Sequence, residues 1–257
     1  MLRLATLVSA LVLSAAAMAE DIKIGVSPGE HAEIMEEVAR IAASGGLNIS
    51  VVEFSDYVIP NVALNDGDLD ANSFQHRPYL ENQIKDRGFD LVEIGTTITT
   101  PMGIYSDKID SLDALPDGGR VAIPNDPTNG GRALLVLQDL GVITLADGTG
   151  LVPSVLDVTD NPKGLRFTEL DAAQLPRALP DTDIAIINTN YALASGLDPK
   201  NDAIAMEKAD SPYVNIIVAR AGDEDAAWVA PLLEAYHSPE VKAFIDEKYQ
   251  GAVLTSW

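Results

Sequence analysis

The residues with the clearest chemistry stand in IPNDPTNGGRALLVLQDLG, residues 123–141. A strand-like start gives way to a polar turn, and Asn129, Gly130, Gly131 and Arg132 then open an amphipathic stretch. The pattern predicts a helix from near Thr128, capped by Asp126 or Thr128, whose first amides lack intrahelical partners. Two glycines would let a ligand approach those amides, where the helix dipole favours negative charge. Arg132 adds a planar fork that matches a carboxylate or a phosphate. The chemistry expected of such a set is anion capture.

A nucleotide fits poorly. The Walker pattern needs Gly-Lys-Ser/Thr, whereas Ala133 and Leu134 follow Gly-Gly-Arg here, and no G-x-G-x-x-G occurs. A carboxylate needs less: one arginine, a few amides and a side-chain amide such as Asn129. A helix end with a surface arginine would carry the same letters, so the stretch alone leaves both readings open.

A second concentration lies in NSFQHRPYLENQ, residues 72–83, where Phe74, His76 and Tyr79 surround a strand-to-helix turn. Tyr57 occupies a similar turn in FSDYVIPN, and the whole chain is only 5% aromatic. Rings and an imidazole at loop ends can enclose an apolar or sulfur-bearing group. Each residue taken singly also fits ordinary core packing.

Other chemistries find little support. The three histidines, His31, His76 and His237, lie far apart, and no H-E-x-x-H occurs. NDGDLDAN (65–72) lacks the twelve-residue EF-hand pattern. There is no cysteine, no G-x-S-x-G and no S-x-x-K, although a Ser-His-Asp set assembled by the fold stays open. The expectation is a binding site without metal, cofactor or catalytic residue.

The elements that must position these residues alternate in type. DIKIGV, NISVVEF, LVEIG, RVAIP, LRFTEL, IAIIN and AIAME read as strands. Helices are expected between them, over EHAEIMEEVARIAAS, PYLENQIKDR, TNGGRALLVLQDL, DAAQLPRAL and TNYALAS, with two more near 223–236 and 238–249. This is the grammar of an α/β protein with mainly parallel sheets flanked by helices. Two such halves suggest two lobes, 20–101 plus 217–257 and 102–216, with a ligand cleft between them. TTITTPMGIYS and PYVNIIVAR are the expected crossings.

The 257 residues include 17 basic and 39 acidic side chains, for a net charge of −22. That balance disfavours nucleic acid and anionic lipid as partners. An apolar fraction of 47% argues a folded chain. Residues 1–19 carry Arg3, an apolar run and Ala17-Met18-Ala19, the layout of a cleaved signal peptide that leaves Glu20 first. Export without a cysteine to carry lipid implies a soluble exported protein.

Several long stretches occur in one order: FSDYVIPNVALNDGDLDANSFQHRPYLENQIKDRG, PMGIYSDKIDSLDALPDGGRVAIPNDPTNGGRALLVLQDLG, AAQLPRAL, INTNYA and DSPYVNIIVAR. Together they resemble the NlpA/MetQ group, the substrate-binding proteins of methionine ABC importers. The resemblance covers nearly all of the chain after residue 19. It implies a type II periplasmic-binding fold, a monomer that closes on one small molecule, and delivery to a membrane ABC permease. It further implies that Arg132 and Asn129 hold an amino acid carboxylate, that Asn188 and Asn215 fix the backbone, and that Tyr57, Phe74, His76 and Tyr79 surround the side chain. Glu169 is a candidate for the ammonium. Most relatives are lipoproteins with a cysteine after the signal, which this chain lacks. Thr100, where some relatives carry a larger residue, leaves room for a methionine-containing dipeptide. D-methionine and other apolar amino acids remain alternatives, as does, more remotely, an enzyme on the same scaffold.

Overall fold

The computed structural model describes residues 20–257; the expected signal peptide, residues 1–19, lies outside them. The chain begins β1 (Glu20–Val26), α1 (Glu30–Ser44), β2 (Leu47–Glu53), α2 (Ile59–Asn65), β3 (Ala71–His76), α3 (Arg77–Arg87), β4 (Leu91–Thr96) and β5 (Ile98–Thr99). It continues through β6 (Gly103–Tyr105), β7 (Arg120–Pro124), α4 (Pro127–Asp139), β8 (Thr144–Leu145), β9 (Val158–Asp160), β10 (Arg166–Leu170), α5 (Leu175–Ala178), β11 (Ile184–Ile187) and α6 (Thr189–Ala194). Then follow β12 (Ala205–Met206), β13 (Asn215–Arg220), α7 (Val229–Tyr236), α8 (Pro239–Tyr249) and β14 (Leu254–Thr255).

Two five-stranded sheets result, ordered β2-β1-β3-β13-β4 and β10-β7-β11-β6-β12. In the first, β13 runs antiparallel to β3 and β4; in the second, β6 runs antiparallel to β11 and β12. The remaining strands of each sheet share one direction, so the expected parallel character holds apart from one strand per sheet. Those two strands are the ones that enter after the chain has changed sheets. Residues 97–102 carry it from β4 to β6, and residues 207–214 carry it back from β12 to β13. The fold is thus a two-lobe α/β architecture with helices packed on the sheets.

Each sheet has its own core. Ile22, Ile24 and Val26 alternate on β1 and pack with Ile34, Met35 and Val38 of α1 and Leu232 of α7. The 3.6-residue spacing of the α1 set places it on one helical face. Around the second sheet, Val121 and Ile123 of β7 pack with Leu134 and Leu137 of α4 and Ile184 and Ile186 of β11.

Several elements differ from their expected extent. α7 starts at Val229 rather than near 223, because residues 221–228 form turns ahead of the apolar Val229 and Leu232. DAAQLPRAL is only a four-residue α-helix between two 3-10 turns, since Pro176 and Pro180 each deny the backbone an N–H. The two-residue strands β8 and β14 are too short to show a period.

Candidate ligand-binding site

The ends of both sheets and the crossing segments enclose a small, mainly polar cavity. It is lined by Tyr57, Phe74, His76, Tyr79, Asn129, Arg132, Asn188 and Asn215, together with His31, Gln75, Thr100 and Asn190. All eight residues chosen from the sequence therefore meet at one place. Glu169 does not: it is exposed on β10 and lies outside the lining.

Arg132 comes from the second turn of α4, and its side chain is 2% exposed. Nε donates to both carboxylate oxygens of Glu207, at 3.1 and 3.0 Å, and Nη2 donates to Glu207 Oε2 and, at 2.8 Å, to the Thr100 carbonyl. The guanidinium carbon sits 4.5 Å from the Tyr213 ring centroid, a cation–π distance. Among the described residues no acceptor meets Nη1, and that edge of the fork remains for the cavity.

The helix end around Arg132 works differently from the expectation. Asp126 is the cap: its Oδ1 accepts the Asn129 backbone N–H at 2.9 Å and the Thr128 hydroxyl at 2.9 Å. A carboxylate already occupies the place an anion would take. Gly130 and Gly131 do not open a path for a ligand either. A Cβ on Gly130 would lie 2.7 Å from the Pro124 carbonyl oxygen, and one on Gly131 would lie 2.9 Å from the Val152 Cα and Pro153 Cδ. The glycines let α4 press against its own lobe, so an anion in the cavity meets the guanidinium edge and not a nest of amides.

Asp126 also fixes a chain of side chains. The Asn129 amide nitrogen donates to both Asp126 oxygens, at 3.1 and 3.0 Å, which turns Asn129 Oδ1 outward. That oxygen faces His76 Nε2 at 3.2 Å and accepts from Asn188 Nδ2 at 2.8 Å. His76 caps α3, and its Nδ1 accepts the Tyr79 backbone N–H at 3.1 Å. The ring proton therefore sits on Nε2 and His76 is neutral. Burial, reinforced by the Arg132 charge, pushes its pKa down to about 3. With its nitrogen committed, Asn188 keeps a buried Oδ1 that has no protein partner.

The other wall is aromatic. Tyr57 stands 5.9 Å from Phe74, 6.1 Å from Tyr79 and 5.0 Å from Tyr191 between ring centroids. Two tyrosines also bridge the lobes: the Tyr57 hydroxyl donates to Asn190 Oδ1 at 2.5 Å, and the Tyr191 hydroxyl to the Ser55 carbonyl at 3.2 Å. Gly29, at φ 88°, admits the Asn190 backbone where a Cβ would lie 2.6 Å from its oxygen. Sequence reasoning missed His31, Gln75, Asn190 and Glu207. Asn190 had a signal, standing two residues from Asn188 in NTNYA. Glu207 had none, being one acid among 39 acidic residues.

Among the described residues no cluster of three or more His, Cys, Asp or Glu side chains could hold a metal ion.

The family model described as NlpA lipoprotein matches residues 22–257. The chain belongs to the NlpA lipoprotein family. It is 50% identical over 239 residues to the D-methionine-binding lipoprotein MetQ of Escherichia coli strain K12, covering 92% of this chain and 88% of that protein. Among solved structures, a nutrient binding protein from Burkholderia cenocepacia bound to methionine is 52% identical, with a TM-score of 0.90 over 92% of this chain and 100% of that one. A periplasmic substrate-binding protein of an ABC transporter from Coxiella burnetii is 41% identical, with a TM-score of 0.88 over 91% of this chain and all of that one. This NlpA-family chain shares their two-lobe fold.

Proposed function

We propose that this protein captures methionine in the cavity between its lobes and delivers it to a membrane ABC permease. The observation that carries the reading is the Arg132 guanidinium, buried, fixed on one edge and unpartnered at Nη1, opposite a wall of aromatic rings. A carboxylate fits that nitrogen. The ligand ammonium fits the free Oδ1 of Asn188, and Asn215 holds the backbone beside it. A thioether fits Tyr57, Phe74 and Tyr79, because its sulfur is polarisable and prefers ring edges. The names of the relatives support the same ligand class. The lining offers two neutral histidines and no carboxylate, which suits binding without turnover.

On this reading the protein acts as a monomer in the periplasm, free of a lipid anchor because the chain has no cysteine to carry one. Ligand-free protein, stripped by unfolding and refolding, should gain thermal stability with L-methionine. Saturation at about a hundred times Kd stabilises by roughly 2.7 kcal/mol. D-methionine and glycyl-methionine belong in the same series, since a relative is named for the D form and Thr100 keeps the lining small. Leucine is the apolar control, and mass spectrometry of the recovered ligand should show it unchanged. No stabilisation by any methionine compound would overturn the assignment.

A further inference from the structure

We infer that Glu207 is a positioning residue: it turns the Nη1 edge of Arg132 into the cleft and ties ligand capture to both crossing segments. The inference rests on the reading of Arg132 as the carboxylate partner. An arginine has two usable edges. Here the Nε and Nη2 edge is closed by the Glu207 carboxylate, and the outer Nη2 hydrogen is closed by the Thr100 carbonyl.

The rest of the Glu207 carboxylate is held as firmly. Oε2 accepts the Met102 backbone N–H at 2.9 Å, and Oε1 accepts the Ser211 hydroxyl at 2.8 Å. Met102 and Thr100 lie on the outgoing segment, 97–102, and Glu207 and Ser211 on the returning one, 207–214. One carboxylate thus joins both hinge strands to the ligand arginine. A buried pair kept only for stability needs neither the second strand nor a free Nη1.

Charge and geometry make opposite demands. The negative charge of Glu207 opposes a second anion at Arg132, so its loss as a charge strengthens carboxylate binding. Its loss as a fork releases the guanidinium, and weakens it. The geometry of the site favours the fork, because without Glu207 only the Thr100 carbonyl, on Nη2, and the Tyr213 ring still hold the guanidinium.

The test compares L-methionine with L-methioninol, which keeps the ammonium and thioether and lacks the carboxylate, by titration calorimetry on refolded, ligand-free protein. Wild type should prefer methionine strongly. Glu207→Gln should lower methionine affinity at least about tenfold and change methioninol affinity little, so the preference collapses. Glu207→Asp, which keeps the charge, should recover part of it. Ser211→Ala, which loosens one oxygen and leaves the pair intact, should move the preference in the same direction by a smaller factor, and it serves if Glu207→Gln does not fold. A wild type that does not discriminate the two ligands overturns the Arg132 reading and the inference with it. A discriminating wild type whose preference survives in the folded variants, or sharpens in Glu207→Gln, overturns the inference alone.

Discussion

His76 and Asn129 meet across the cleft, with His76 Nε2 3.2 Å from Asn129 Oδ1. His76 ends β3 of the first sheet, and Asn129 stands in the first turn of α4 on the second. Each is oriented from behind, His76 by the Tyr79 amide and Asn129 by Asp126. The two lobes therefore recognise each other through a donor and an acceptor whose roles are already decided. Asn129→Ala removes the acceptor shared by His76 and Asn188 and leaves two buried donors unpaired. The expected cost is about 1–3 kcal/mol for each group left unsatisfied. It should appear as a lower Tm of the closed, liganded protein and as weaker methionine binding; an unchanged Kd would show that the bridge does not contribute to closure.

Glu30, His31 and His76 should shape stability against pH. Burial, assisted by the nearby Glu33 charge, pushes the Glu30 carboxyl from its ordinary 4.5 up to about 8. The folded chain then holds a proton that the unfolded chain releases, so stability falls as pH rises from about 4.5 to about 8. The histidines act the other way. His31 is pushed down to about 4 and His76 to about 3, so stability falls as pH drops below the ordinary 6.5. Between 4.5 and 6.5 the two histidines act against Glu30 and against Asp126, whose carboxyl pKa burial also raises, and the histidine contribution is complete only near pH 6.5. Above it, the decline toward pH 8 belongs to Glu30 and amounts to about 1.4 kcal/mol per pH unit. Glu30→Gln should abolish that decline and leave the acid limb in place. Urea unfolding at half-unit steps of pH measures both limbs, and a decline that persists in the variant would sink the assignment to Glu30.

Gly131→Ala separates two explanations of the Gly130-Gly131 pair. If the glycines serve helix packing, the added Cβ strains the contact with Val152 and Pro153 and costs about 1–3 kcal/mol of stability. Ligand affinity should then change little once the protein is folded. If the glycine instead opened the site to a ligand, affinity would fall and stability would hold. Calorimetry and a denaturation curve on the same sample distinguish them.

The contrast shows which parts of this molecule the letters carry. Alternating strands and helices, the Asp126 cap and six of the lining residues were legible, because period, cap chemistry and local concentration are properties of short stretches; Asn188 and Asn215 came only through the resemblance to the NlpA/MetQ group. The glycines misled because GG before an arginine has the same local form whether a ligand or the chain itself lies opposite. Deciding between them takes Pro124 and residues 151–153, which only the fold brings near. Glu207 was hidden for the same reason. Its partner Arg132 lies 75 residues away in sequence, and no period or motif links the two. The position of β13 in the first sheet, between β3 and β4, likewise depends on a long-range pairing that no local pattern encodes.

Arg132→Ala tests the centre of the proposal, and its reading depends on what the substitution leaves behind. The variant removes the ligand's partner and also strands the Glu207 carboxylate, whose side chain is only 10% exposed. Breaking a buried pair on one side costs about 3–5 kcal/mol of stability. A fall in methionine affinity could then reflect a loosened hinge as well as a lost contact. The double variant Arg132→Met with Glu207→Met removes the stranded charge and should recover much of the stability, since apolar groups of similar volume often replace a buried pair without loss. Its affinity for L-methionine should stay weak and become nearly equal to that for L-methioninol. A double variant that is stable and still prefers methionine over methioninol would show that the carboxylate is held elsewhere in the cleft.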